Sequence, residues 1–298
     1  MDITLRQLSV FVAVARSGGL AEAASRCGIS RAAASMALSE LERASGGPFF
    51  TRAGRGLQLN DRGRRLLPGA EGLVQGTAEW LDSARGREGE LVGELRVGCS
   101  MTIGNYCLPA LLPGFLALHP KARLALRIGN SADVCEGLRR GDIDMGLVES
   151  EQIPHGLEAV LWCRDRMVVV VPPGHPLSSG RKPSRKALGG QTWLVREPGS
   201  GTREIADDFL KTLSSVRSLV EMGGAEAIKR GVRAGMGLAL LSRHTVLEEL
   251  AAGQLTELAL ADSPLRRFSI VSFPGQHTSS LARGFRQWLA HNTPSGRE

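Results

Sequence analysis

Two stretches of the chain set hydroxyls and glycines where a strand would turn into a helix: Cys99-Ser100-Met101-Thr102 and Pro198-Gly199-Ser200-Gly201-Thr202. A helix start offers free backbone N–H groups and the positive end of the helix dipole; with Ser and Thr hydroxyls alongside, it binds small anions. Arg196 and Arg203 flank the second turn and would add charge. Glu149 ends the apolar run Met145-Gly146-Leu147-Val148, where it would orient hydrogen-bond donors or disfavour dianions. Ser100, Ser200 and Thr202 could equally be plain helix caps, which need no ligand.

Other chemistries lack their residues. The six histidines, His119, His155, His175, His244, His277 and His291, sit mostly beside Pro or Gly or at helix ends, outside any G-x-S-x-G or H-E-x-x-H setting. Gly199 to Thr202 lacks the frame of a P-loop. The sequence therefore predicts no enzyme, no cofactor and no metal. Cys27, Cys99, Cys107, Cys135 and Cys163 are odd in number and lack metal-type spacing, which suits a reduced cytoplasm. They read first as small buried side chains, but Cys99 and Cys107 flank the first turn, so a thiol-based redox sensor is the alternative.

The element that gives these turns a context lies near the N-terminus. Leu20 to Glu42 reads as two short helices broken at Gly28, with Ala23, Ala24 and Cys27 on one face and Ile29 in the hinge. Ser30 caps the second helix, and Leu38 and Leu41 pack it inward. Ser30, Arg31, Ala32, Ser35 and Met36 then face outward, and a helix with small residues at its start fits a major groove. Leu5 to Arg16 supplies a third helix. Phe49, Phe50, Leu57 and Leu59 flank a basic tip, Thr51 to Gly56, predicting a two-stranded wing whose Arg52 and Arg55 reach phosphate or the minor groove. Ten arginines against five carboxylates in residues 1–65 place +5 of the chain's net +7 here.

Asn60 and Asp61 open a long helix to about Arg85, with Leu66, Ala70, Leu73, Thr77, Trp80 and Ala84 at alternating fours and threes. That is a coiled-coil seam for a second copy, weakened by Pro68, Gly69, Gly72 and Gly76, with a kink expected near Leu66. Residues 86–93 are Gly-rich and polar, a hinge. Beyond it strands alternate with helices, predicting a parallel α/β sheet in two lobes joined by crossovers near 164–166 and 262–267, with a ligand cleft between them. No apolar run reaches the length of a membrane span, and Met1 to Gly18 is not a signal peptide. The expected segments are therefore a DNA-binding domain at 1–60, a linker helix and hinge at 61–89, and an effector domain at 90–298. Within the last, lobe I takes 90–164 and 267–298, and lobe II takes 165–266.

The chain resembles the LysR-type transcriptional regulators over its whole length. The resemblance rests on Leu5-Arg6-Gln7-Leu8 with Phe11, on Ala23-Ala24 to Leu41-Glu42, on Phe49-Phe50-Thr51-Arg52 and on Leu59-Asn60-Asp61-Arg62-Gly63-Arg64. Thr102 to Tyr106, Pro172 to Leu177 and Arg196 to Glu204 extend it through the C-terminal part. It implies a winged helix-turn-helix, a linker dimerisation helix and an effector domain similar to periplasmic binding proteins, assembled as a dimer or tetramer on a pseudo-palindromic DNA site in the cytoplasm. Within the family the chain looks most like the branch that includes sulfite-responsive and other sulfur-oxyanion sensors. Two positions depart from the family pattern. Arg31-Ala32-Ala33-Ala34-Ser35 stands where the family commonly has Gln-Pro-Ala-Leu-Ser, and Met101 where Ser or Thr is frequent, which removes one hydroxyl.

Overall fold

The computed structural model describes residues 3–53, 56–84, 91–180, 182–213, 215–274 and 279–294. Arg55 and most of the expected hinge lie outside them. Helix α1 (Leu5–Ser17) starts with a capping box between Thr4 and Gln7 and stops at Gly18, whose φ of 70° an L side chain rarely adopts. Helices α2 (Leu20–Arg26) and α3 (Arg31–Ala44) follow, separated by Gly28 at φ 64°. Strands β1 (Phe50–Ala53) and β2 (Gly56–Leu59) pair antiparallel as the wing. One apolar cluster binds these elements: Val10, Phe11, Val14, Ala23, Ala34, Leu38, Leu41 and Phe49 are buried together. Helix α4 (Asp61–Ala84) runs unbroken through Pro68 and lends this core Leu67 and Ala70.

The C-terminal part continues with β3 (Gly93–Ser100), a π-helical turn at Ile103–Cys107, α5 (Leu108–Leu118), β4 (Ala122–Gly129), α6 (Ser131–Arg140), β5 (Met145–Val148) and β6 (Glu158–Val171). It then runs α7 (Arg185–Gly189), β7 (Thr192–Val195), α8 (Gly201–Lys211), β8 (Ser218–Glu221), α9 (Ala225–Arg233), β9 (Ala239–Ser242), α10 (Arg243–Ala251), β10 (Thr256–Glu257), β11 (Leu265–Ser272) and α11 (Ser280–His291). Two lobes form, each with its own apolar cores, around sheets covered by helices.

The sheet is mixed rather than parallel. Strand β3 pairs parallel with β4 and β5, but β11 is antiparallel to both β5 and β6, and β6 is antiparallel to β9 and β10. The two expected crossovers fall on paired strands: Arg164 to Arg166 lies within β6 and faces Leu265 to Arg267 of β11. Strand β6 is 14 residues long, so it serves the first lobe with its first half and the second lobe with its last. Buried on both faces there, Met167 to Val171 read correctly as an apolar run, while the exposed Glu158 to Leu161 did not.

Candidate functional site

The surface expected to meet DNA is built by local rules. Ser30 accepts a hydrogen bond from the Ala33 N–H at 3.2 Å, which caps α3 and fixes its start. Ala34, Leu38 and Leu41 bury the opposite face, so Ser30, Arg31, Ala32, Ser35 and Met36 are all exposed, Met36 by 63%. Gln7 donates to Glu40 at 3.0 Å and ties α1 to α3. The wing is anchored by Leu57 N–H donating to the Gly18 carbonyl at 2.9 Å, and its Arg52 is exposed. Arg31 and Arg52 make no ion pair among the described residues.

The expected seam on α4 divides between two surfaces. Ala70 is buried in the helix-turn-helix core, whereas Leu73 and Trp80 are exposed by 60% and 68%. Gly69, Gly72, Leu73, Gly76, Thr77 and Trp80 together line an open groove along the helix. The glycines that lower helix propensity therefore keep this groove free of side chains.

Between the lobes the sequence-predicted residues converge on one that was not predicted, Arg266. It is fully buried, and its Nε donates to Asp165 Oδ2 at 2.6 Å. Its Nη1 donates to Thr202 Oγ1 at 2.8 Å and its Nη2 to Thr102 Oγ1 at 3.2 Å. Nη2 also lies 3.2 Å from Glu149 Oε2, within ion-pair range but without hydrogen-bond alignment. The Thr202 hydroxyl in turn donates a hydrogen bond to Glu149 Oε1 at 3.3 Å. Burial works against the Arg266 charge, but Glu149 and Asp165 outweigh it, and its pKa is raised. Thr102, Glu149 and Thr202 thus meet around one guanidinium.

Ser100 and Ser200 are buried, and neither hydroxyl has a hydrogen-bond partner. Ser200 holds the N-cap position of α8 without capping it. Gly199, at φ 86°, packs close to Asn130 and Ala132, and its carbonyl accepts from Ala132 N–H at 3.2 Å. Arg196 and Arg203, expected as free cations, are both engaged. Arg196 holds Glu197 at 2.6 Å and touches Met101 Sδ at 3.2 Å; Arg203 holds Asp207 and Glu221. Further ties cross the lobes: Ser150 Oγ donates to Glu204 at 2.8 Å, and Tyr106 hydrogen-bonds Glu226 beneath the Lys229 ammonium. The hydrogen bonds that Lys229 donates to Glu226 and Glu249 outweigh its burial, so its pKa is raised.

Sequence reasoning missed Arg266, Asp165, Tyr106 and Lys229. The one available signal was the pair Arg266-Arg267 at the start of the otherwise uncharged run from Leu265 to Val271. The two thiols of the redox alternative are buried in the first-lobe core, and burial pushes Cys99 up to about 12 and Cys107 higher still. A thiol so shifted holds almost no thiolate at neutral pH, which works against that alternative.

His244 lies 3.8 Å from Asp165. Burial holds it below its ordinary 6.5, with Asp165 pulling up and Arg266 and Arg243 pushing down. The unfolded chain therefore binds a proton that the folded chain resists, and stability drops as pH falls below about 6.5. His244→Gln should lose less melting temperature between pH 7.5 and 5 than the wild type does. Equal slopes would remove this histidine from the acid limb.

Among the described residues no helix is long and apolar enough to cross a membrane, and no cluster of His, Cys, Asp or Glu could hold a metal ion. Two family models match the chain: the bacterial regulatory helix-turn-helix protein of the lysR family over residues 5–64, and the LysR substrate binding domain over residues 88–294. An Escherichia coli relative, the "Uncharacterized HTH-type transcriptional regulator YeiE", is 35% identical, with 99% of each chain covered. Full-length OxyR from Pseudomonas aeruginosa superposes with a TM-score of 0.79 over 98% of this chain and 94% of its own, at 22% identity. The regulatory domain of Synechocystis CcmR in complex with 2-PG covers 68% of this chain and 99% of its own, with a TM-score of 0.63 and 28% identity. The chain belongs to the LysR family of transcriptional regulators, with an N-terminal helix-turn-helix domain and a C-terminal two-lobed effector domain.

Proposed function

We propose that the chain binds duplex DNA as a homodimer or a pair of dimers, and that a small oxyanion between the effector lobes sets that binding. Arg31, Ser35 and the methyls of Ala32 read base edges from the capped end of α3, and Met36 packs alongside. Arg52 contacts the phosphate backbone from the wing; Arg55 is expected to do the same from beyond the described residues. The exposed Leu73 and Trp80 with the glycine groove on α4 support pairing through that helix. The proposed segments stay those read from the sequence: 1–60 for DNA, 61–89 for pairing, and 90–298 for the effector in two lobes.

The observation that carries the effector reading is the pair of buried, unpartnered hydroxyls on Ser100 and Ser200, at the starts of two helices from opposite lobes. A buried donor left unmade costs about 1–3 kcal/mol, so a ligand that accepts from both is favoured. Thr102, Thr202 and the backbone of Met101 and Gly199 complete the cradle, with Arg266 as the cation behind it and Arg196 as a strut against Met101. Glu149 and Asp165 leave the cluster net negative around one guanidinium. An oxyanion that keeps a proton for Glu149 therefore fits better than a dianion. The CcmR regulatory domain, of similar fold, was solved in complex with 2-PG, which supports a small-molecule effector in this domain.

The test is thermal unfolding of the full chain with sulfite, sulfate, thiosulfate, phosphate and small carboxylates. One of them should stabilise the wild type. Ser100→Ala and Ser200→Ala should each weaken that ligand about tenfold while leaving the free chain as stable as before, because the hydroxyls removed had no partner. No stabilisation by any anion, or stabilisation unchanged in both variants, would remove the oxyanion from this cleft.

A further inference from the structure

A second cavity, of about 210 Å³, lies where the DNA-binding part meets the effector domain. Its walls come from three segments: Val12 and Arg16 of α1, Glu71 and Val74 of α4, and Asp144, Ala282 and Arg286 of the effector domain. Ala282 and Arg286 stand one turn apart on the same face of α11, below its cap Ser279. The Arg286 Nη2 is buried and has no hydrogen-bond partner.

Charge accounting assigns the occupant. Glu71 is held by Arg16 at 3.1 Å, with Arg96 3.9 Å away, and Asp144 is held by Arg96 at 2.5 Å. Those carboxylates are spent. Glu94 at the cavity edge is exposed, where water screens it. What remains inside is a guanidinium nitrogen with nothing to donate to, among Val12, Val74 and Ala282 methyls. We infer that this cavity is a second small-molecule site, and that it takes a small carboxylate on the Arg286 guanidinium. A carboxylate offers the acceptor that Nη2 lacks, in the fork geometry that Arg prefers, and a short apolar tail meets the valines. Because the walls belong to α1, α4 and the effector domain together, the occupant contacts the DNA-binding part and the effector domain at once, independently of the cleft between the lobes.

The test uses the full-length chain carrying Ser100→Ala and Ser200→Ala, so that the interlobe cleft contributes little. Acetate is titrated calorimetrically, with methylammonium as the opposite charge. Acetate should bind once per chain and methylammonium not at all. Arg286→Gln should weaken acetate at least about tenfold. Ala282→Leu, which fills the cavity and keeps the charge, should do the same, so the result does not depend on one variant. The site is overturned if acetate fails to bind, if methylammonium binds as well, or if either folded variant binds acetate as the parent does.

Discussion

Arg266→Met should lower the unfolding free energy by about 3–5 kcal/mol, the cost of leaving buried charge without its partner. The guanidinium touches Asp165, Glu149, Thr102 and Thr202 at once, from the first lobe, the second lobe and the strand pair that joins them. Without it two carboxylates face each other with no water to screen them. Asp165 keeps the Ser242 hydroxyl at 2.9 Å, with His244 nearby. The expected loss should be read by urea unfolding of the full chain. Adding Glu149→Gln and Asp165→Asn to the variant should recover much of it, since neutral amides do not repel. A single variant within about 1 kcal/mol of the wild type would mean that apolar packing, not this triad, holds the lobes together.

How much of this was readable in the sequence follows from the range of each interaction. Ser30 caps a backbone N–H three residues on, and Gly18 and Gly28 mark their own turns. Such signals lie within a few residues and were read correctly, down to the five exposed positions on α3. Arg266 and Asp165 are 101 residues apart in the chain and meet only because β6 and β11 pair in one register. No local pattern encodes that. The same register shapes the expected crossover at Arg164-Asp165-Arg166, where Asp165 pairs with Arg266 of the neighbouring strand and Arg166 reaches Glu257. Helix α10 went unread because it buries only Thr245 and Val246, which is too little to set a period. Of the candidate cleft, the hydroxyls and Glu149 were legible as turn and strand-end chemistry. The cation was sought beside them in Arg196 and Arg203, and both are consumed by carboxylates one to eighteen residues away.

Trp80→Glu should turn the dimer into a monomer and weaken operator binding by about 10²–10⁴-fold. The surface it alters is apolar, exposed and grooved: Leu73 and Trp80 project from the helix, and Gly69, Gly72 and Gly76 leave room for a second backbone between them. Two carboxylates brought together at a paired apolar seam repel where no water screens them, so the pairing, rather than the fold of either copy, takes the loss. A monomer presents one recognition helix, and the gain from tethering two half-site contacts disappears; that tethering is worth about 10²–10⁴ in apparent affinity. Sedimentation would give the oligomeric state, and titration on a duplex selected from a random-sequence pool would give the affinity. Arg31→Ala is the matched control. It removes a charged contact of about 1–3 kcal/mol at the DNA surface, so it should weaken binding about 10–100-fold while the chain still sediments as the wild type does. If Trp80→Glu remains dimeric with unchanged affinity, pairing does not run through this face of α4, and the exposed tryptophan needs a different partner.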